Sequence, residues 1–175
     1  IEDYRWSETV DDQGTSNTRL SSAYSILDVN ARYRSSDWEI STRLNGGYEA
    51  DFLDSEDSRG NLNYLYAYGE HLPTESSIKL GRQRQRTGGT IGRFDGVSIS
   101  SAITDTILLN VIAGFPVESS TDTSVNTERS FYGINAEFGP FYQDLDLNFF
   151  YIDQEIDGFT DREAVGGEIK YFNSN

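Results

Sequence analysis

The chain has 175 residues, a formal net charge of −15 and no cysteine. The absence of cysteine excludes disulfide and zinc–thiolate chemistry. The negative charge disfavours a nucleic-acid partner, which requires a basic face. No stretch approaches 18 consecutive apolar residues, so a membrane-spanning helix is excluded, but a membrane-spanning sheet of alternating strands is not. Hydrophobic residues make up only 36% of the sequence, yet aromatic residues reach 13%. Many rings in a chain of low overall hydrophobicity favour a protein with two surfaces of opposite character.

The N-terminal region predicts two strands. The first, through Tyr4 and Trp6, has the weaker pattern. In the second, residues 20–33, the apolar positions change from even to odd numbers midway. A β-bulge near Ile26 and Leu27 would restore one apolar face.

Residues 38–52 show the clearest alternation, which is the period of a β-strand because successive side chains point to opposite faces. One face is apolar and has aromatic residues near both ends, as at a membrane interface. Its larger members are Trp38, Ile40, Leu44, Tyr48 and Phe52. The charged members of the other face are Glu39, Arg43, Glu49 and Asp51.

The same period of two recurs along the rest of the chain. Residues 61–69 place four large side chains on one side, namely Leu62, Tyr64, Tyr66 and Tyr68. Further segments that alternate are residues 96–103, 106–117, 131–138, 141–152 and 164–172. With a strand through Ile78 and Leu80, the chain predicts about ten strands. The sequence contains no apolar stripe of period 3.6, the pattern that would indicate a helix.

Short and long connections take turns along the chain. The short ones are residues 34–37, 70–75, 103–105 and 139–140. The longer, polar ones are residues 11–18, 54–60, 85–92, 118–127 and 153–162. This order is typical of an all-β, antiparallel up-and-down transmembrane β-barrel, which has short periplasmic turns and longer outer loops.

Residues 80–97 form the most distinctive stretch, in which a basic strand leads through a Gly-rich loop to Phe94, Asp95 and Gly96. It is similar to the strand, Gly-rich loop and strand of several porin-like proteins. The chain as a whole resembles a Gram-negative outer-membrane β-barrel of the porin-like type, and the resemblance is one of pattern over all ten segments. It implies a bacterial outer-membrane location, with lipid, lipopolysaccharide and small polar solutes as partners.

We expect residues 1–175 to form a single β-barrel domain that is part of a longer chain, because the sequence does not finish on the aromatic residue typical of bacterial barrels. Two soluble folds also alternate: a β-sandwich and a lipocalin-type barrel. Both would pack the apolar faces inward, whereas a membrane barrel turns them outward.

Four arginines fall within twelve positions, although the chain has only fourteen basic residues. They are Arg82, Arg84, Arg86 and Arg93. The first three share the face of Leu80, where an arginine facing lipid at mid-depth costs roughly 2–4 kcal/mol. The strand is therefore expected either to leave the membrane near Leu80 or to bulge inward. The arginines are interpreted either as a selectivity cluster within a pore or as partners of lipid phosphates and neighbouring carboxylates.

Charged residues elsewhere complete the predicted pore lining, either as selectivity elements or as ordinary ion pairs. They are Arg43, Glu49, Asp51, Glu137, Asp144 and Asp146. Carboxylates in residues 51–57 have the oxygen chemistry for calcium but not the spacing of an EF-hand, so a solvated loop is favoured. No metal or cofactor is predicted.

Catalysis has little support in the sequence. The single histidine, His71, precedes Leu72 and Pro73 in a predicted turn, and Gly88-Gly89 lacks the lysine of a phosphate loop. The predicted function is a channel for passive or selective diffusion of small polar solutes. The alternatives are an assembly barrel that holds or exports a partner (a secreted polymer, an electron carrier, a periplasmic protein or an oligomeric partner) and an outer-membrane enzyme.

Overall fold

The computed structural model describes residues 2–10, 16–53, 58–85, 92–141 and 145–171. These residues form ten strands and one short 3₁₀ turn, Leu72–Thr74. The strands are β1 Glu2–Val10, β2 Ser16–Arg34, β3 Trp38–Asp51, β4 Arg59–His71, β5 Ser76–Gln85, β6 Gly92–Thr104, β7 Ile107–Val117, β8 Arg129–Phe141, β9 Leu145–Ile156 and β10 Phe159–Tyr171. In this part of the chain we find no helix with the length and apolar content needed to cross a membrane.

Each strand pairs antiparallel with its neighbours in sequence, so the sheet has the order β1 to β10. The predicted all-β, up-and-down arrangement of about ten strands is therefore confirmed. Within the described residues the sheet is open, because β1 pairs only with β2 and β10 only with β9.

The register of the ladders places apolar residues from nine strands in one continuous row. In the order β2 to β10 its members are Tyr33, Ile40, Gly69, Ile78, Ile99, Val111, Ile134, Tyr151 and Val165. We call the face that carries this row the apolar face and the opposite one the polar face. The alternation read from single segments thus adds up to one surface.

The apolar face is exposed. Seven of the nine row residues, all except Gly69 and Tyr151, are among the large exposed hydrophobic residues, with 40% to 83% of their surface accessible. A sandwich or a lipocalin-type barrel would pack this face into a sealed interior. The side chains of the row have no such covering in the part of the chain described.

The polar face is divided into two parts. In β2 to β6 one register row reads Arg32, Ser41, Tyr68, Lys79 and Ser98. In β7 to β10 the same row continues as Ile112, Gly133, Ile152 and Ala164. The four hydrophobic residues that the structure buries, Phe94, Ile112, Phe131 and Ile152, pack together on this face with Ala164 beside them.

Glycines allow side chains from alternate strands to meet above the polar face. The rings of Phe94 in β6 and Phe131 in β8 lie 5.1 Å apart in an edge-to-face arrangement. Gly114 of β7 pairs with Gly96 of β6 and with Phe131 of β8. A Cβ added at Gly114 would lie 2.8 Å from the Cα of Gly96. Any residue other than glycine at Gly96 would overlap the carbonyl oxygen of Ala113. Glycine at these two positions therefore allows the backbones of β6 and β7 to approach closely.

The bulge predicted near Ile26 and Leu27 is wrong. Pairing of β2 with β3 runs without a shift from Ser22 to Arg34. Ile26 and Tyr24 therefore lie on the polar face. The phenol oxygen of Tyr24 accepts a hydrogen bond of 3.0 Å from Asn61 Nδ2, which gives this ring a polar partner there.

The predicted placement of the β4 tyrosines on the side of Leu62 is also wrong. The register shifts so that Asn45 pairs with Tyr64 but Gly46 pairs with Leu62, leaving Asn63 as the extra residue of a bulge. Leu62 falls on the apolar face, and three tyrosines fall on the polar face: Tyr64, Tyr66 and Tyr68. A bulge reverses the phase of a strand, and a tyrosine, with its apolar ring and hydroxyl, fits either face.

The long loop predicted over residues 153–162 is wrong as well. Strand β9 continues to Ile156 and β10 begins at Phe159, so only two residues connect them. Asp157 and Gly158 both have positive φ, 52° and 79°. Positive φ at both central positions is the geometry of a tight hairpin turn, for which Asp-Gly is a preferred sequence. By contrast, the β7–β8 connection, residues 118–128, is long as predicted.

Candidate functional site

A cavity of about 260 Å³ lies over the polar face of β3, β4 and β5. The residues that line it are Arg43, Tyr64, Tyr66, Lys79, Gln83 and Arg84. We call it the basic–tyrosine cavity. Arg84 lines the cavity although its register partner Arg93 gives it the same phase as Arg82. Three of the six residues are cations and, among the described residues, no carboxylate lines it.

Tyrosine rings hold two of these cations. The guanidinium carbon of Arg43 lies 5.0 Å from the ring centroid of Tyr64. The ammonium nitrogen of Lys79 lies 5.1 Å from the ring of Tyr66 and 5.6 Å from that of Tyr68. These distances fall within the range in which a cation is attracted to an aromatic face. The Asn63 bulge creates the arrangement, because it turns the three tyrosines towards the lysine.

The cations have few carboxylate partners. Within the described residues no carboxylate lies within 4 Å of Lys79 or Arg84. Arg43 has one, Asp28, at 3.6 Å, and its own Nε has no hydrogen-bond partner there. Among the described residues, this part of the polar face therefore carries an excess of positive charge, although the chain as a whole is acidic.

Gln83 forms a fixed part of the cavity lining. Its amide nitrogen donates to the carbonyl oxygens of Lys79 and Gly96, each at 3.2 Å, and its amide oxygen accepts from the Ser98 hydroxyl at 2.8 Å. The side chain is almost fully buried. A second cavity of about 210 Å³ shares Lys79 and Arg84 with the first. Its polar lining also includes Tyr68, Ser77, Gln85, Ser98, Ser100 and Asn110, and again no carboxylate from the described residues.

The other half of the polar face carries amides and carboxylates. Asn110 Nδ2 donates to Asn135 at 3.0 Å and to Glu137 at 3.2 Å, and Asn135 donates in turn to Asn148 at 2.5 Å. A cavity of about 280 Å³ lies near the short turns. Its charged lining includes Glu137 and Asp146, which the sequence predicts to line a pore, and also Glu168 and Lys170. Lys170 differs from Lys79 in having a carboxylate partner, Glu168, at 3.1 Å.

Arg82 lies apart from the other basic residues. Its register partners are Leu65 and Asp95, which places it on the apolar face, yet only 3% of its surface is exposed. Its Nε and Nη2 donate to the two oxygens of Asp95 at 2.8 and 2.6 Å. This paired geometry compensates for burying the charge. It matches the interpretation in which an arginine meets a carboxylate of the neighbouring strand.

The β7–β8 connection covers this ion pair. Arg82 donates to the carbonyl oxygens of Leu62 at 3.3 Å and Ser124 at 3.4 Å, and also to that of Asp122. The backbone nitrogen of Leu62 donates to the carbonyl oxygen of Ser120 at 2.7 Å. Arg82 therefore lies on the apolar face but is buried, because the β7–β8 connection folds over it.

The remaining predicted lining residues are dispersed. Glu49, on the polar face of β3, lies 3.8 Å from Arg59, and Asp51 accepts a hydrogen bond from the Leu53 backbone nitrogen at 2.7 Å. Arg93, in register with Arg84, has an Nη1 without a described partner. Arg86 and Asp144 lie outside the described residues, as do positions 54–57 of the acidic loop. A role in lining a pore stays a prediction for the whole set.

His71 lies at the end of β4. Its ring packs 4.7 Å from that of Trp38, and Nδ1 lies 2.8 Å from the Thr74 hydroxyl. The part of the chain that the structure describes contains no group of three or more His, Asp or Glu residues placed to hold a metal ion.

Sequence reasoning missed the main members of the basic–tyrosine cavity. Lys79 has the opposite phase to the apolar Ile78 and Leu80, a signal that was available in the sequence. The tyrosines were assigned to the wrong face because the Asn63 bulge leaves no mark in the alternation.

No protein family, curated protein or solved structure matches the chain. The functional argument therefore rests on the residues and their geometry.

Proposed function

We propose that the chain forms part of a β-barrel in the outer membrane of a Gram-negative bacterium, and that the barrel is a channel for small polar solutes. The observation that carries the proposal is the exposed apolar row, which runs in register from Tyr33 in β2 to Val165 in β10.

Contact with hydrocarbon gives this row a favourable environment. Monomeric soluble proteins rarely expose contiguous apolar patches larger than a few hundred Å². Burying apolar surface is favourable by roughly 25 cal/mol per Å², so a row of this extent strongly favours a covering phase over water. Lipid covers such a face on every strand at once. A tilted strand of about 9–11 residues spans a bilayer, and the strands here have 9 to 19 residues.

The polar face supplies the second half of the argument. Charged and amide side chains such as Arg43, Lys79 and Asn135 require water or partners, and a channel interior provides both. In the channel that we propose, these side chains face the aqueous lumen and set which solutes pass.

Conductance of the purified full-length protein in planar bilayers tests the proposal. We expect stepwise current increases as single barrels insert, with a size that depends on salt concentration. Membrane insertion without any current would contradict the channel function.

A further inference from the structure

We propose that the basic–tyrosine cavity and the adjoining cavity together bind a small hydroxylated oxyanion, such as a sugar phosphate or a sugar acid, and thereby favour anions in the channel. The transport part of this inference rests on the proposed function, whereas the binding part does not.

Charge is the first argument. The chain has 29 acidic and 14 basic residues, so a random cavity on its polar face would be lined by carboxylates more often than by cations. The basic–tyrosine cavity instead has Arg43, Lys79 and Arg84 and no described carboxylate. Cations gathered in a confined space with low-dielectric walls raise the local concentration of anions.

The position of Lys79 is the second argument. Burying an ammonium group has a cost that a carboxylate partner normally reduces. Lys79 is partly buried, yet its described contacts are the ring faces of Tyr66 and Tyr68. The nearby Glu70 accepts a hydrogen bond from the Tyr68 hydroxyl at 2.7 Å. The tyrosines thus hold the ammonium group over the cavity, and no carboxylate of the described residues lies within 4 Å of it.

Size and lining are the third argument. The two cavities, about 260 and 210 Å³, share Lys79 and Arg84. Phosphate and carboxylate groups suit the cationic cavity, because guanidinium and ammonium groups are strong donors to oxyanions. The second cavity offers hydroxyl and amide groups from Ser77, Ser100 and Asn110, which suit the hydroxyls of a carbohydrate-sized body.

Binding is tested first, on folded full-length protein in detergent, by titration calorimetry with inorganic phosphate, glucose 6-phosphate and gluconate, and with glucose as the uncharged control. We expect the three anions to bind and glucose to bind far more weakly. Replacing Lys79→Gln is expected to weaken anion binding roughly tenfold or more, since one close charge is removed from a partly buried site.

Lys170→Gln is the matched control, because Lys170 lies on the same face but already has Glu168 as its partner. We expect this variant to bind anions as the unmodified protein does. Absence of anion binding, or an equal loss in both variants, would overturn the oxyanion site. Both substitutions replace a lysine by the same neutral polar residue. Circular dichroism and thermal melting of each variant establish that loss of binding is not loss of fold.

Selectivity is tested second, from the reversal potential across a bilayer under a potassium chloride gradient. We expect the unmodified protein to favour chloride and Lys79→Gln to reduce that preference, with Lys170→Gln unchanged. Anion binding without any conductance would contradict the channel and leave the site in place. Conductance without anion binding would contradict the site and leave the channel in place.

Discussion

The two faces of this sheet are made by the same strands, yet side chains one position apart have opposite surroundings. Ile99 is exposed on the apolar face beside Ile78 and Val111, whereas Ser98, its neighbour in β6, donates a hydrogen bond to the buried Gln83. In a soluble protein the larger apolar surface is the packed one. Here the larger apolar surface is exposed, and the small packed cluster around Phe94 lies on the polar face. The comparison teaches that an apolar pattern identifies a surface but not what covers it.

The largest effect is expected where the apolar face carries a charge. Replacing Asp95→Ala leaves Arg82 buried without its carboxylate, and breaking a buried pair in this way costs about 3–5 kcal/mol. Urea unfolding in lipid vesicles should show this loss in the free energy of unfolding.

Two further variants sharpen this prediction. Asp28→Ala removes the partner of Arg43 in a pair that is well exposed on the polar face, and should change stability by no more than about 1 kcal/mol. The double replacement Arg82→Met with Asp95→Leu should recover most of the stability, because apolar pairs of similar volume can replace buried ion pairs. Equal losses for Asp95→Ala and Asp28→Ala would contradict the burial argument.

The next effect compares neighbouring residues of β6. In vesicles, Ile99→Arg should destabilise the protein by roughly 2–4 kcal/mol, the cost of an arginine facing lipid at mid-depth. Ser100→Arg adds the same side chain to the polar face and should cost much less. The measurement is again the free energy of unfolding. Indistinguishable values would mean that the two faces do not differ in what surrounds them.

The smallest effect concerns the packed cluster on the polar face. Ile152→Val removes one methylene group from a buried site and should cost about 0.5–1.5 kcal/mol. Ile169→Val makes the same change at an exposed position of the apolar face. In the barrel that we propose, lipid fills the space there. The cost of Ile169→Val should be close to zero, as measured by the same unfolding experiment. A larger loss at Ile169 than at Ile152 would show that the cluster is not the packed part.

Much of the fold could be predicted because the alternation of apolar and polar residues survives in most of the strands. Residues 131–138, and 164–171 of the segment 164–172, were assigned to the correct faces, since β8 and β10 keep strict phase there. The same reasoning assigned the β4 tyrosines to the wrong face, because the extra residue Asn63 reverses the alternation of side chains without altering the composition of the strand. The Asp157-Gly158 pair is a turn signal in the sequence. It was overlooked because the polar residues around it resemble a long loop.

The candidate site could be predicted only in part. A concentration of arginines is visible in the sequence, but which of them pairs with Asp95 depends on a neighbouring strand and on the β7–β8 connection that folds over both. The grouping of Arg43 with Lys79 depends on the phase of β4, which lies between their strands. Contacts between strands follow from register, and register is not contained in any single segment.

The most direct test of the central claim uses the absence of cysteine from these 175 residues, so that none of their native side chains competes with an introduced thiol for a label. Spin labels placed at Ile78→Cys, Ile99→Cys and Ile134→Cys, and at Ser77→Cys, Ser98→Cys and Ser100→Cys, would be studied in vesicles by paramagnetic relaxation. The apolar-face labels should be relaxed mainly by oxygen dissolved in lipid, and the polar-face labels mainly by a water-soluble nickel complex. Equal access of the nickel complex to both sets would contradict the claim that one face meets lipid and the other meets water.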